Sequence, residues 1–391
     1  MKFSNRAHAV KPSATLAIAA LASSMKASGI DVLAMSAGEP DFDTPANIKN
    51  AAKASLDRGE TKYTPVPGTM ALRKAVALDT KNQYGIDVTT DQVIVGAGGK
   101  QVLFNAACAL LDHGDEALIP APYWVSYPDM VMFNGATPVF VEPSSRPLPL
   151  AEDFAQKITE RTRLVFLNSP SNPTGCVYSR DELSDIAALF RRHENITIIS
   201  DDIYGQLVYD SEFVSIIHVA PDLMSRTLIG TGVSKTYAMT GWRIGFGIAP
   251  KELISAMSRL QGASTSGASC VAQAAALEAI VGDQTTVHEM VRVFKQRRDR
   301  MCAQLATIPD VTVPHPGGAF YAFPDVSAYF SARIPGSQAL CKHLLEVEHL
   351  AVVPGVEFGA DKNLRMSFAC SDADIDEGIK RLKRGLESLR Q

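Results

Sequence analysis

The chain has 391 residues, of which 46% are hydrophobic and 20% are charged, and its formal net charge is −4. This composition excludes disordered and fibrous proteins, and the length suits a large α/β domain with a smaller companion. A nucleic-acid partner is not expected, because the one basic cluster, at 295–300, continues a helical pattern and fits its solvated face.

The N-terminal segment permits two interpretations. Arg6 and Lys11 precede a short apolar run at 14–22, which imitates a secretory signal peptide. The same residues fit an alanine-rich helix that starts at 12–13, and we favour this helix because nothing downstream is typical of a secreted protein. The six cysteines are scattered and no apolar run reaches the ~18 residues of a membrane span, so we expect a cytoplasmic protein without membrane contact.

Between residues 91 and 247, short β-rich runs alternate with helical stretches. This alternation predicts an α/β fold with a mostly parallel, seven-stranded sheet and helices on its faces. Functional residues in such sheets gather beyond the carboxyl ends of the strands. The predicted strands are 93–95, 116–119, 137–141, 164–167, 197–200, 227–229 and 244–248, and the helices between them are 100–111, 127–133 and 180–193.

After Pro250 the pattern becomes long and helical, and the last part of the chain then mixes strands and helices as a separate, smaller α+β unit does. Predicted helices cover 251–260, 268–281, 287–305, 337–346 and 373–388, and predicted strands cover 311–313, 320–323 and 365–367. We expect the N-terminal stretch to join this unit in space. The predicted division is therefore 1–45 for the arm and part of the small domain, 46–285 for the large domain and 286–391 for the small domain.

A glycine-rich turn at 96–101 joins the first predicted strand to a helix. Free backbone amides and the helix dipole converge there, so the turn could bind a phosphate group. Neither the dinucleotide fingerprint nor the triphosphate-loop spacing is met, which excludes a nucleotide site of those kinds. Alone, the turn is weak evidence.

Lys235 follows small residues just after a predicted buried strand, in the stretch 232–245. An isolated lysine in a loop is usually a solvated surface charge. Here Arg243, bounded by Gly241 and Gly245, can approach any group attached to the lysine. An amine that attacks an aldehyde must be partly desolvated, which lowers its pKa. A nearby phosphate would need hydroxyl groups and a forked guanidinium.

The stretch 232–245 resembles the lysine signature of class I aminotransferases, which are fold-type-I pyridoxal-phosphate enzymes. The resemblance runs from residue 11 to Arg365 and is nearest to bacterial aspartate aminotransferases of the group related to the thermophilic enzyme. It implies a pyridoxal 5′-phosphate cofactor held by Lys235, which would also carry the α-proton. The implied reaction moves an amino group between an L-amino acid, aspartate or glutamate, and a 2-oxo acid.

Two strand-end motifs add to this resemblance. The family's asparagine matching Asn172, in the turn 168–175, bonds the cofactor's phenolic oxygen. A carboxylate under the pyridine ring would keep the ring nitrogen protonated. The resemblance assigns this role to Asp201 rather than Asp202, because the family's acid lies three residues before the tyrosine that matches Tyr204. Adjacent strand residues face opposite ways, so only one of the two acids can point into the site.

The resemblance also assigns the remaining contacts with cofactor and substrate. For the cofactor these are Tyr204, which with Lys235 and Asp201 forms the predicted catalytic set, then Gly99, Lys100, Gln101, Ser234 and Arg243 around the phosphate, Trp124 stacked on the ring, and Tyr63 reaching the phosphate of a neighbouring subunit. The last contact implies a homodimer with shared active sites. For the substrate they are Arg365 on the α-carboxylate, Gly38, Trp124 and Asn172 along the pocket, and Lys100, Ser13 and Thr15 on a distal carboxylate.

Other activities stay open at this point. No second distal arginine can be aligned, Arg259 included, and relatives with similar arms accept prephenate or aromatic amino acids. A pyridoxal-phosphate C–S β-lyase would share every cofactor residue and differ only in its products. A non-catalytic regulator would need an added DNA-binding domain, and we do not expect one because about ten residues precede the arm.

Overall fold

The computed structural model describes residues 1–10 and 14–390. In these residues the helices are α1 Asn5–Ala9, α2 Ala14–Ala27, α3 Ala46–Asp57, α4 Met70–Tyr84, α5 Gly99–Leu110, α6 Ser126–Phe133, α7 Ala151–Ala155, α8 Arg180–Arg191, α9 Ile216–Val219, α10 Lys251–Ser264, α11 Cys270–Val281, α12 Thr285–Leu305, α13 Ser337–Glu348 and α14 Asp372–Glu387. The strands are β1 Leu33–Ala34, β2 Val93–Gly96, β3 Glu116–Pro120, β4 Thr137–Val141, β5 Thr162–Asn168, β6 Thr197–Asp201, β7 Thr227–Gly232, β8 Gly245–Ile248, β9 Tyr321–Ala322, β10 Leu350–Ala351, β11 Val353–Pro354 and β12 Leu364–Ser367.

Seven strands form one sheet in the order β2-β8-β7-β6-β5-β3-β4. All run parallel except β8, which is antiparallel to both β2 and β7. The predicted α/β fold with a mostly parallel, seven-stranded sheet is therefore confirmed. The register places Asn168 beside Asp201 at the carboxyl ends of β5 and β6, the edge where polar residues of such sheets collect.

Helices cover both faces of the sheet, as the unbroken apolar strands require. In β5, Val165 and Leu167 pack into the core formed with α3, α4, α8 and α11. Leu164 and Phe166 face the opposite core, formed with α5, α6 and α10. Side-chain caps fix the helix ends. At the start of α8 the Ser179 hydroxyl accepts from the backbone N–H of Glu182, and the Glu182 carboxylate accepts from the backbone N–H of Ser179. The strand ends are thus held between two rigid layers.

A further core lies around the sheet β11-β12-β9 and the helices α12, α13 and α14. β1 pairs in parallel with β10, Leu33 opposite Leu350, so the segment near residue 33 joins this C-terminal part. The division at residues 45 and 285 stays a prediction. Within the described residues, no helix combines the length and apolar character that crossing a bilayer requires.

One predicted strand is wrong. Residues 311–313 make only an isolated bridge, Thr312 with Asp325, because Pro314, Pro316 and a pair of glycines interrupt any longer ladder. The predicted strand 320–323 shortens to Tyr321–Ala322. The sequence prediction also omitted α3 and α4, which cover one face of the large sheet.

Candidate active site

A cavity of about 940 Å³ opens at the carboxyl ends of the central strands. Eleven of the residues singled out in the sequence line it, contributed by the strand ends, by α5 and by β12. These are Gly38, Gly99, Lys100, Trp124, Asn172, Asp201, Tyr204, Ser234, Lys235, Arg243 and Arg365. The fold therefore brings together groups that lie up to 327 positions apart in the chain, since Gly38 and Arg365 share the cavity.

Lys235 lies just after β7, and its half-buried side chain lines the cavity. The ammonium group donates to the carbonyl oxygen of Gly38 and lies 6.0 Å from the centre of the Tyr204 ring. Burial lowers the pKa of Lys235 to about 8, and the positive charge of Arg365 contributes to the shift. A substantial fraction of this amine is thus neutral near pH 7.5, which a nucleophile or proton carrier requires.

Asp201 ends β6 and is almost fully buried. Burial raises its pKa to about 6, while the hydroxyl of Tyr127, which donates to Oδ2 at 2.6 Å, opposes the rise. The amide of Asn168 donates to the Asp201 carbonyl oxygen at 2.9 Å and fixes the strand end. Asp202 points the other way, where the hydroxyl of Ser200 donates to it at 2.7 Å. Only Asp201 faces the cavity.

Arg365, in β12, is buried, and burial lowers its pKa. Its Nη1 donates to Oδ1 of Asn172 and its Nη2 to the carbonyl oxygen of Ser36, both at 3.0 Å. The guanidinium lies 4.5 Å from the Tyr321 ring centre and 5.0 Å from that of Phe358. Among the described residues, Nε has no hydrogen-bond partner and no carboxylate pairs with this cation.

The start of α5 and Arg243 converge on one side of the cavity. Gly98 is the N-cap of α5 and has a φ of +86°. The backbone of Arg243 is also in the left-handed region, with a φ of +57°, and its Nη2 donates to the carbonyl oxygen of Ala97 at 3.3 Å. A Cβ on Gly98 would lie 2.3 Å from Arg243 Nη2, and one on Gly245 would lie 2.2 Å from the amide nitrogen of Gly99. Only glycine at both positions permits this approach.

The outer part of the cavity mixes a cation with aromatic rings. The ammonium group of Lys100 lies 4.9 Å from the Trp124 ring centre. Burial lowers the pKa of Lys100, an effect that Asp129 opposes. Tyr123 and Phe140 stack on each other at 4.8 Å between ring centres and form an apolar wall. This part of the cavity can therefore contact both charged and apolar groups.

Four of the predicted contacts are placed elsewhere or not described. The Gln101 side chain accepts from the backbone N–H of Ala97 at 2.6 Å and donates to Thr265 at 2.7 Å, so it braces a loop and does not line the cavity. Tyr63 is 99% exposed. Ser13 and the side chain of Thr15 lie outside the described residues.

At Gly38, an added Cβ would lie 3.4 Å from the Tyr321 hydroxyl, which is ordinary contact. The protein itself therefore leaves room for a Cβ at this position, and the contact of Gly38 with substrate stays a prediction. The closer link is the carbonyl oxygen of Gly38, which accepts from Lys235.

The sequence interpretation missed three residues that support the site. Tyr127 donates to Asp201, Asn168 fixes the end of β6, and the Tyr321 hydroxyl lies 2.8 Å from that of Tyr204. Asn168 could have been found, because it directly follows the predicted strand 164–167 and begins the polar turn 168–175. The partners of Tyr127 and Tyr321 are 74 and 117 positions away, so no local pattern indicates them.

Comparison with known proteins identifies the family to which this cavity belongs. The sequence profile of aminotransferase class I and II matches residues 30–382. The chain belongs to the class I and II aminotransferases. An aspartate/prephenate aminotransferase of Cereibacter sphaeroides is 45% identical over 385 residues, which cover 96% of each chain.

Solved aminotransferase structures agree over nearly the whole chain. The aspartate aminotransferase of Rhizobium meliloti superimposes with a TM-score of 0.95 at 40% identity, covering 99% of both chains. The aspartate aminotransferase of Thermus thermophilus with maleate superimposes with a TM-score of 0.93 at 39% identity, covering 98% of this chain and 100% of the other. The chain is thus an aminotransferase with the fold of the aspartate enzymes.

Class I aminotransferases use pyridoxal 5′-phosphate, and the cavity fits such a molecule. The glycine cradle at Gly98 and Gly245 keeps backbone amides and Arg243 open to a phosphate group. Lys235 offers an amine of lowered pKa, and Asp201 offers a buried carboxylate to a ring nitrogen. These three features match the three chemical parts of the cofactor, namely its phosphate, its aldehyde and its pyridine ring.

Proposed function

We propose that this aminotransferase binds pyridoxal 5′-phosphate and exchanges amino groups between aspartate or glutamate and the 2-oxo acids oxaloacetate and 2-oxoglutarate. The observation that carries the proposal is Arg365, a buried cation without an anionic partner among the described residues, in the cavity that also holds Lys235. A buried charge without a counter-ion is costly. The α-carboxylate of a substrate would supply that counter-ion through a two-pronged contact.

The residues around the cofactor divide the chemical work. When bound, pyridoxal 5′-phosphate withdraws electrons from the α-carbon of an amino acid, provided that its ring nitrogen is protonated. Asp201, with a pKa of about 6, is ionised at neutral pH and stabilises that proton. Lys235 accepts the α-proton and returns it, a service typically worth about 10²–10⁴ in rate. Asn172, the proposed contact of the cofactor's phenolic oxygen, also accepts a hydrogen bond from Arg365 through its amide oxygen.

Lys100 supports a preference for dicarboxylic substrates. It is the cation of the outer cavity, next to the Trp124 ring, and it can receive a distal carboxylate. We propose that Ser13 and Thr15 on the arm add hydroxyl contacts. The names of the relatives, which include aspartate/prephenate aminotransferases, support the same substrate class.

Prephenate is a second candidate substrate, favoured by a specific observation. Tyr123 and Phe140 form a stacked apolar wall in the same cavity as Lys100, so a ring and a carboxylate can be contacted together. Prephenate carries both groups. A β-lyase would use the same cofactor residues, but the match to aminotransferases over 30–382 favours transfer over elimination.

We also propose that the active site is completed in a cytoplasmic homodimer. The side chain of Tyr63 is 99% exposed and does not line the cavity of its own chain. An exposed tyrosine of this kind is typical of interfaces. Sedimentation at micromolar concentration should show a dimer, and Tyr63→Ala should weaken cofactor retention in that dimer.

A half-reaction screen tests the proposed activity. Aspartate, glutamate, alanine, phenylalanine and prephenate's amino product are added singly to the holoenzyme without acceptor, and the visible absorbance of the cofactor and the released oxo acid are followed. We expect stoichiometric oxaloacetate from aspartate, and a larger loss of rate for aspartate than for phenylalanine in Lys100→Met. No response to either dicarboxylic amino acid would reject the assignment, as would the release of pyruvate, ammonia and a thiol from S-methylcysteine, a substrate that a C–S β-lyase can eliminate.

A further inference from the structure

Tyr321 contacts two parts of the cavity that hold different chemistry. It begins β9, it is buried, and it lines the cavity. Its hydroxyl lies 2.8 Å from the hydroxyl of Tyr204, whose ring centre lies 6.0 Å from the Lys235 ammonium group. Its ring lies 4.5 Å from the guanidinium carbon of Arg365. One side chain therefore contacts both the lysine end and the carboxylate end of the cavity.

The charge of Arg365 favours one direction for the hydrogen bond between the two hydroxyls. Either oxygen can donate at this distance. Burial raises the pKa of both hydroxyls and Arg365 opposes both rises, but its guanidinium lies over the Tyr321 ring, 4.5 Å from the ring centre, so its effect is greater on Tyr321. A nearby cation makes a phenol a better donor. With Tyr321 donating, the Tyr204 oxygen accepts, and the Tyr204 proton is left for another acceptor in the cavity.

The ring of Tyr321 has a separate role. Within the described part of the chain the acceptors of Arg365 are neutral, on Asn172 and Ser36, and its guanidinium lies over the rings of Tyr321 and Phe358. Aromatic faces attract a desolvated cation and restrict how it can tilt. The tilt of the Arg365 guanidinium toward a carboxylate therefore depends on the Tyr321 ring, not on the Tyr321 hydroxyl.

We propose that Tyr321 is a positioning residue of the amino-transfer reaction. Its hydroxyl donates to Tyr204 and directs the Tyr204 proton into the cavity, while its ring holds the Arg365 guanidinium in place for a carboxylate. The inference rests on the proposed function, because it takes Tyr204 as a contact of the cofactor and Arg365 as the contact of the substrate carboxylate. The two roles occupy different atoms of one side chain, so two substitutions separate them.

Tyr321→Phe removes the hydroxyl, and Tyr321→Leu removes the ring as well. In the holoenzyme we expect Tyr321→Phe to lower kcat about tenfold, the worth of one buried hydrogen bond, with KM for aspartate nearly unchanged. Tyr321→Leu should also raise KM about tenfold, as expected for the lost support of a buried cation. The dissociation constant of succinate, measured on the apoenzyme by calorimetry, should rise in Tyr321→Leu alone.

Tyr329 provides matched controls. Its hydroxyl donates to the carbonyl oxygen of Pro309 at 2.6 Å and its ring lies 4.4 Å from the guanidinium carbon of Arg390, but it does not line the cavity. Tyr329→Phe and Tyr329→Leu should change the melting temperature as the Tyr321 variants do and leave kcat and KM unchanged.

Two results would overturn the inference. One is a kcat for Tyr321→Phe equal to that of the wild type, and the other is an equal change of kcat and KM in both Tyr321 variants. If Tyr321→Leu does not fold, the double variant Tyr204→Phe, Tyr321→Phe decides, because the inference requires its kcat to equal that of Tyr204→Phe alone. A wild-type enzyme inactive with every amino acid would instead reject the proposed function.

Discussion

The hydroxyl of Tyr127 donates a 2.6 Å hydrogen bond to Oδ2 of Asp201, with both side chains buried against the sheet. Burial alone would favour the protonated acid, which could not hold a positive charge on a ring nitrogen. The hydrogen bond opposes that effect, and the pKa of Asp201 stays at about 6. Tyr127 therefore keeps Asp201 ionised at the pH where the enzyme would work.

Removing this hydroxyl should move the acid limb of the activity profile. In Tyr127→Phe the pKa of Asp201 rises further, so the ionised form is lost at a higher pH. A hydrogen bond to a charged group is worth about 1.5–3 kcal/mol, which corresponds to a shift of roughly one to two pH units. The check is kcat/KM against pH. Tyr178→Phe, which removes a buried hydroxyl bonded to the Pro149 carbonyl oxygen, is the control and should leave the limb in place.

Lys235 should reduce the stability of the apoenzyme at neutral pH. Its pKa is about 8 when folded and near 10.5 when unfolded, so the unfolded chain binds more protons in between. The free energy of unfolding contributed by this group therefore rises from pH 8 to pH 10.5. At pH 7 we expect the Lys235→Met apoenzyme to be more stable than the wild-type apoenzyme by on the order of 2 kcal/mol. At pH 10 this gain in the free energy of unfolding should be smaller.

Urea unfolding of the apoenzymes at both pH values measures this difference. The exposed Lys53, changed to Met, is the control and should show no such pH-dependent gain. A Lys235→Met apoenzyme that is less stable than the wild type at pH 7 would contradict a desolvated amine.

The glycine cradle can be tested by comparing two left-handed glycines. Gly98 has φ +86° and Gly59 has φ +75°, but an added Cβ meets Arg243 at Gly98 and nothing within 4 Å at Gly59. Alanine at either position should cost about 1–2 kcal/mol of stability because of backbone strain. Only Gly98→Ala should displace the Arg243 guanidinium and weaken the binding of pyridoxal 5′-phosphate and of inorganic phosphate. Equal affinities in the two variants, measured by titration of the apoenzymes, would rule out a phosphate cradle there.

The sequence predicted those elements whose residues carry their own pattern. The apolar run of β5 indicates a strand buried on both faces, and alternation along β6 separates Asp201 from Asp202. The glycines around Lys235 and before α5 indicated where a phosphate could approach. In each case the signal lies within a few consecutive residues.

The rest depends on packing between distant segments. β1, β10 and β11 have two residues each, too few to show alternation. Helix α3 buries Ile48, Ala52 and Ser55, and two of these are too small to mark an apolar stripe. The hydroxyl pairs of Tyr127 and Tyr321 exist only because separate elements meet at the cavity. The match of Gln101 to the family does not show that its side chain turns toward Ala97 and Thr265, which depends on the loop packed against α5.

Arg365 should tolerate lysine poorly although the charge is kept. The guanidinium makes two hydrogen bonds at 3.0 Å, from different nitrogens, to Asn172 and Ser36. A lysine ammonium carries all three donors on one atom and lacks the planar fork, so it cannot span both acceptors and also bind a carboxylate with two parallel bonds. We expect Arg365→Lys to weaken succinate binding to the apoenzyme at least tenfold. Arg259→Lys, at an exposed arginine bonded to Ser255, should bind succinate like the wild type. A succinate affinity unchanged in Arg365→Lys would remove this residue from the carboxylate site.

The proposed attachment of the cofactor to Lys235 is tested most directly by chemical trapping. The holoenzyme is reduced with borohydride, digested, and searched by mass spectrometry for the lysine that carries the pyridoxyl phosphate group. We predict a single modified peptide containing Lys235, and none when the same reaction is run on Lys235→Met. A modified Lys100, or an unmodified Lys235 in an enzyme that retains its cofactor absorbance, would contradict the account.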